Sequence, residues 1–72
     1  MYEIDKVKLK LEIAIRGLSI AAAARLIGFM PNYLTKCINR EKLSYLAVIR
    51  LYEKLQINPN KYVKGWEGGF KE

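Results

Sequence analysis

The sequence predicts an all-α domain, a compact five-helix bundle that ends in a short irregular tail. Three observations carry that reading. Two short helical patterns meet across a single glycine, Gly28, within the stretch from Leu18 to Asn39. Polar caps and helix-stopping glycines and prolines punctuate the chain at intervals that suit short helices. Between those stops apolar residues recur every three or four positions, with no convincing strand and no internal repeat. The domain is expected over residues 1–64 and the tail over residues 65–72.

Each element has a local reason. The first helix is expected from about Asp5 to Arg16, with Asp5 at its positive end and Gly17 closing it. Leu9 to Ile15 also alternates with a period of two, but the caps and the helical unit that follows favour helix. The second helix covers Ser19 to Ile27. Ser19 caps it, Ala23, Ala24 and Ile27 form a small apolar inner face, and Gly28 ends it. The third runs from Pro31 to Asn39; Pro31 suits a first turn, and Leu34, Cys37 and Ile38 form the inner face. Small residues let these two helices cross closely, and the glycine permits the sharp turn between them, which is the pattern of a helix-turn-helix. Arg40 to Lys42 reads as a polar connector. A fourth helix fits Ser44 to Leu55, with Leu46, Ile49, Tyr52 and Leu55 at helical spacing. Asn58-Pro59, an amide cap followed by proline, starts a short fifth helix to about Lys64. The tail from Gly65 carries three glycines and reads as irregular.

Composition bounds the function. Seventy-two residues, 51% hydrophobic and 28% charged, make one small folded domain rather than a disordered chain. So small a core gives marginal stability, which association with another chain would raise. Thirteen basic against seven acidic residues give a net charge of +6 and favour a polyanionic partner. One cysteine and no histidine exclude a disulfide framework and the usual zinc sites, so no metal is expected. Cys37 has no imidazole partner, the acidic residues are scattered, and Gly65 to Gly69 lacks the helix and lysine of a phosphate loop. Catalysis, a cofactor and a small-molecule substrate are therefore not expected. Met1 to Asp5 does not read as a signal peptide, and no apolar run is long enough to span a membrane. Asp5 and Glu12 interrupt the polar face that a membrane-surface helix needs. The expected location is cytoplasmic.

From about Ile4 to Val63 the chain resembles the lambda-repressor-like, Cro/repressor-type helix-turn-helix family. The residues that carry the resemblance are Leu9 and Ile13, Gly17-Leu18-Ser19, Ala24, Gly28-Phe29, Tyr33-Leu34, Lys36, Ile38-Asn39 and Leu55 to Pro59, in order and at matching spacings. The length and the tail are similar to those of small temperate-phage regulators of the Cro-like or modulator-of-repression kind. The resemblance implies a five-helix fold and a transcriptional regulator working in a bacterial host cell. It also implies that the third helix enters the major groove of operator DNA while the second crosses the backbone. Carried over by position, Pro31, Asn32, Thr35 and Lys36 would face the groove, with Tyr33 at its edge. Asn39 and Arg40 would approach phosphate, and Ser19 and Ile20 would contact the DNA backbone.

The side-chain chemistry suits that role. Asn32 can pair bidentately with adenine, and Thr35 can offer a hydroxyl or set its methyl against thymine. Lys36 can reach guanine or phosphate, with less discrimination than an arginine fork. Arg25, Arg40 and Lys42 suit phosphate clamps, which position without specifying. The plainer reading is a solvated polar helix face. One departure stands out: Met30 and Pro31 occupy the helix start, where family members carry a polar cap and then a polar or basic residue. Donors are missing where groove contact is closest, and Met30 with Tyr33 leaves an apolar patch. The alternative function is therefore a modulator or antirepressor that acts by protein–protein contact with a partner repressor.

A second apolar stripe points the same way. At about 100° per residue, Ile4, Val7, Leu11, Ala14 and Ile15 cluster on one side of the first helix, while Leu9 and Ile13 fall opposite. The family register assigns Leu9 and Ile13 to the core, which leaves Val7, Leu11 and Ile15 outside. Two explanations stay open. The tail folds back, with Trp66 or Phe70 covering the stripe, or Val7, Leu11 and Ile15, together with Met30, meet a partner, either a homodimer mate or another repressor.

Overall fold

The computed structural model describes residues 1–67. Strand β1 (Tyr2–Glu3) leads into helix α1 (Lys6–Ile15), which is followed by α2 (Ile20–Leu26) and α3 (Pro31–Asn39). Strand β2 (Lys42–Leu43), helix α4 (Tyr45–Leu55) and a 3-10 turn over Pro59–Lys61 complete the order.

Capping chemistry sets most helix starts. The Asp5 carboxylate accepts from the Val7 and Lys8 amides at 3.0 and 3.1 Å. Ser19 Oγ accepts from the Ala22 amide at 3.0 Å, and Ser44 Oγ from the Ala47 amide at 3.3 Å. Helix α3 differs: its cap residue, Met30, offers no side-chain acceptor, and Pro31 removes one amide from the first turn.

The five-helix, all-α expectation is overturned. Four α-helices are joined by a two-stranded antiparallel sheet, in which Tyr2 pairs with Leu43 and Glu3 with Lys42. The region expected to form a fifth helix makes only the 3-10 turn. Its continuation returns to the amino-terminal strand: Ile4 bridges Val63, the Asp5 amide donates to the Tyr62 carbonyl at 2.8 Å, and the Lys64 amide donates to Glu3 at 2.9 Å. The reason is burial. Tyr62 and Val63 both bury their side chains in the core, and the chain can do this because it leaves the turn at Tyr62, with φ -142° and ψ -18°, before Val63 pairs with Ile4. The connector expected at Arg40 to Lys42 is likewise part strand, because Glu41 adopts φ 58° and turns Lys42 and Leu43 toward β1.

The core is built from Leu9 and Ile13 of α1, Ala23, Ala24 and Ile27 around α2, and Leu34, Cys37 and Ile38 of α3. Helix α4 turns inward a different face from the one expected. Ala47, Val48, Leu51 and Leu55 are buried, whereas Leu46 is exposed and Ile49 and Tyr52 are half-buried. Both sets recur at helical spacing, and only the position of the other helices selects between them. Leu18, Ile20, Phe29 and Trp66 pack partly against the core from outside.

On α1 Val7, Leu11, Ala14 and Ile15 stay uncovered by the described residues, whereas Ile4, expected on the same stripe, precedes the helix and is fully buried where it bridges Val63. Trp66 sits instead edge-on to Tyr2, with ring centroids 5.3 Å apart, and Tyr2 in turn meets Tyr45 at 6.2 Å. Phe70 lies outside the described residues. Among the described residues no helix is long and apolar enough to cross a membrane.

Candidate nucleic-acid interface

The turn between α2 and α3 is fixed from three directions. Gly28 takes φ +79°, the left-handed region that disfavours side chains. The Phe29 amide donates to the Ala24 carbonyl at 2.8 Å and the Gly28 amide to Arg25 at 3.2 Å, so the α2 carbonyls are closed off. Arg50, reaching across from α4, donates through Nη1 to the Ile27 carbonyl at 3.0 Å and places its guanidinium 5.6 Å from the centre of the Phe29 ring. A Cβ on Gly28 would stand 3.1 Å from that same Nη1. The arginine thus occupies the space that the missing side chain leaves.

This frame presents one face of α3. Asn32, Tyr33, Lys36, Asn39 and Arg40 are exposed, Pro31 and Thr35 are half-buried at its edge, and Leu34, Cys37 and Ile38 face inward. Seven of the nine residues expected at the interface therefore share α3 and its end. The other two lie at the start of α2. Ser19 is exposed, with its hydroxyl engaged as the helix cap, while Ile20 is half-buried against the core. Arg25 is exposed in the last turn of α2, and Lys42 is exposed on β2. Among the described residues the sole ion pair is Arg16 with Glu12, which leaves Arg25, Lys36, Arg40 and Lys42 without a carboxylate partner.

The start of α3 is apolar: Met30 is 71% exposed and Tyr33 46%, and Leu26 at the end of α2 is 52% exposed. The Phe29 and Tyr33 rings lie 5.7 Å apart, so Tyr33 leans on the residue that Arg50 holds. Its hydroxyl is held above the usual tyrosine range, chiefly by hydrogen bonding with the Cys37 thiol, and it stays a neutral donor at physiological pH.

Sequence reasoning missed Leu26 and Arg50. Leu26 was hidden in an alanine-rich run whose inner face was already assigned. Arg50 carried one signal, a cation between the apolar Ile49 and Leu51 of α4, but its partners lie more than twenty positions away.

A second concavity, an open groove of about 500 Å³, lies between α1 and α4 and is lined by Glu12, Arg16, Tyr52, Glu53 and Asn58 among others. Its arginine is committed to structure. Arg16 donates to the carbonyls of Glu12 and Leu55, each at 2.7 Å, and of Gln56 at 3.0 Å, tying α1 to the end of α4. Among the described residues no group of three or more histidine, cysteine, aspartate or glutamate side chains is placed to hold a metal ion.

Compared with models of known protein families, with curated proteins and with solved structures, the chain has no significant match in any of the three.

Proposed function

We propose that this chain is a small, non-enzymatic transcriptional regulator of the lambda-repressor-like helix-turn-helix type, acting in a phage genetic switch. It works at operator DNA, with α3 laid in the major groove. The observation that carries the reading is the polar and basic outer face of α3, held at a fixed angle to α2 by Gly28 and Arg50. Asn32 and Lys36 supply base-edge chemistry, and Arg25, Arg40 and Lys42 supply phosphate contacts. Fluorescence anisotropy with duplex pools, enriched over successive rounds of selection, tests it. Binding should weaken steeply with salt, and Arg40→Glu should lower affinity about equally for all sequences, whereas Asn32→Ala should change which sequence is preferred. A chain that enriches no sequence and binds duplex DNA without salt dependence refutes the reading.

A second reading rests on a separate observation, the exposed Met30 and Tyr33 at the start of α3 and Leu26 at the end of α2. An apolar patch is poorly matched to a phosphate-lined groove and well matched to a protein surface, and methionine adapts readily to a partner. In this reading the same face docks on a partner repressor and alters that repressor's DNA binding. Shift assays with the protein alone, and then with a repressor encoded beside it, separate the two. Altered repressor binding without a shift by the protein alone selects the second.

A further inference from the structure

We propose, resting on the placement of α3 in the major groove, that the start of this helix reads A·T pairs. Asn32 takes the adenine edge, while Met30 and Tyr33 lie against the 5-methyl groups of neighbouring thymines. Residues 30–35 carry neither a cation nor a carboxylate. A guanine contact calls for Arg or Lys and a cytosine contact for Asp or Glu, so a G·C pair finds neither of its usual partners in the first turn. The first cation on the helix is Lys36, one turn beyond Asn32. What the first turn offers instead is an amide and apolar surface.

Placement brings these groups together. At about 100° per residue Asn32 falls in the middle of the outward face, opposite the buried Leu34, Cys37 and Ile38, with Tyr33 and Thr35 on its two sides. Met30, exposed, immediately precedes the helix. The Tyr33 ring leans on Phe29 and its hydroxyl bonds with the Cys37 thiol. The polar tip is thus engaged within the chain, and the ring is the part left to meet DNA. Thr35, half-buried at the edge, suits either kind of pair and discriminates little. The walls of the major groove are phosphate, but its floor carries one apolar group, the thymine methyl. The amino-terminal end of the recognition helix is the end that reaches the floor, and that is where Met30 and Tyr33 stand. An A·T pair presents both matching parts, N6 and N7 of adenine for the amide and the methyl for the apolar side chains. Asn32 and Lys36 are about 6 Å apart along the helix axis, near two base-pair steps, so a guanine read by Lys36 lies about two pairs from that adenine.

Deoxyuridine in place of thymidine removes the 5-methyl and leaves every base-pairing group intact, which isolates the apolar contact. Fluorescence anisotropy on the enriched duplex, with thymidines replaced one at a time, should show about a fourfold loss of affinity at one or two positions and none elsewhere. Those positions should lie within about two pairs of the A·T pair whose preference Asn32→Ala abolishes. Met30→Ala and Tyr33→Ala should each lessen a deoxyuridine loss, whereas Tyr33→Phe, which keeps the ring, should retain it. Met30 makes no side-chain cap bond, so Met30→Ala should keep the wild-type helical circular dichroism spectrum and decides the matter even if Tyr33→Ala unfolds. Sequence-specific binding in which deoxyuridine is silent at every position overturns the proposal and leaves the DNA reading standing. A G·C pair at the position governed by Asn32 does the same. Losses that persist unchanged in Met30→Ala, or in a folded Tyr33→Ala, also overturn it. Where the apolar start of α3 serves a partner repressor, deoxyuridine and Met30→Ala are both silent on DNA and only repressor binding responds, which again refutes the thymine contact. A chain without salt-dependent binding to any duplex removes the DNA reading itself, and this proposal with it.

Discussion

Replacing Arg50 with methionine tests whether α4 holds the turn of the helix-turn-helix in place. Methionine keeps much of the aliphatic packing but removes the guanidinium. What is lost is one charge-assisted hydrogen bond to the Ile27 carbonyl, at 3.0 Å, and the cation stacked 5.6 Å from the Phe29 ring. A hydrogen bond from a charged donor contributes about 1.5 kcal/mol or more, and a partly exposed cation–ring contact about 0.5–1 kcal/mol. The sum is a loss of about 2 kcal/mol, a fall in midpoint of about 8–16 °C for a domain of this size. Urea titration followed by circular dichroism should show the midpoint moving at constant slope. Arg50→Lys should recover less than half, because an ammonium cannot stack its plane on the ring while donating to Ile27. A double-mutant cycle with Phe29→Leu should return a coupling of about 0.5–1 kcal/mol. If Arg50→Met unfolds within about 0.5 kcal/mol of the wild type, the arginine is a bystander and the account of the turn is wrong.

Three further outcomes follow from the same geometry. Arg16→Met should destabilise by about 2–3 kcal/mol in thermal or urea melts, since it frees three carbonyls and the Glu12 carboxylate, discounted here for their access to water. Tyr62 has a buried hydroxyl with no hydrogen-bond partner among the described residues, so Tyr62→Phe should leave stability unchanged or raise it by about 1 kcal/mol. Burial also pushes that hydroxyl's pKa up, while the unfolded chain ionises near pH 10, so stability is intact below about pH 10 and falls above it by about 1.4 kcal/mol per unit; urea melts between about pH 9 and 11 should show Tyr62→Phe flattening the fall. Gln56 ends α4 at φ 54°, and Gln56→Gly should raise the urea midpoint by the equivalent of about 0.5–1 kcal/mol.

Legibility in the sequence followed the range of the interactions. Asp5, Ser19, Ser44 and Asn58 each bond to amides two or three positions on, so their caps could be read locally, and the bounds of α1 to α4 lie within a residue of expectation. The turn at Gly28 is equally local. Strands β1 and β2 span two residues each, too short for alternation to register, and they pair across some forty positions. The face of α4 was misread because two apolar stripes compete there and only packing decides between them. At the candidate interface, the exposure of Asn32, Lys36, Asn39 and Arg40 was readable from the inward turn of Leu34, Cys37 and Ile38. The partial burial of Ile20 and the anchoring by Arg50 depend on elements distant in the chain.

The amino-terminal strand has a consequence for the order of folding. Ile4 donates to the Glu41 carbonyl and bridges Val63, so its two partners lie at the middle of the chain and some sixty positions away. The α2–α3 hairpin needs only neighbours and can form early, because closing a short loop loses little entropy. The strand has to wait. During synthesis Val63 emerges only after every helix has been made, so the Ile4–Val63 bridge is a late, cooperative lock on a hairpin already formed. Destabilising the lock at Val63 should therefore speed unfolding while scarcely slowing folding, whereas a lesion at Ala24 or Leu34 should slow folding itself.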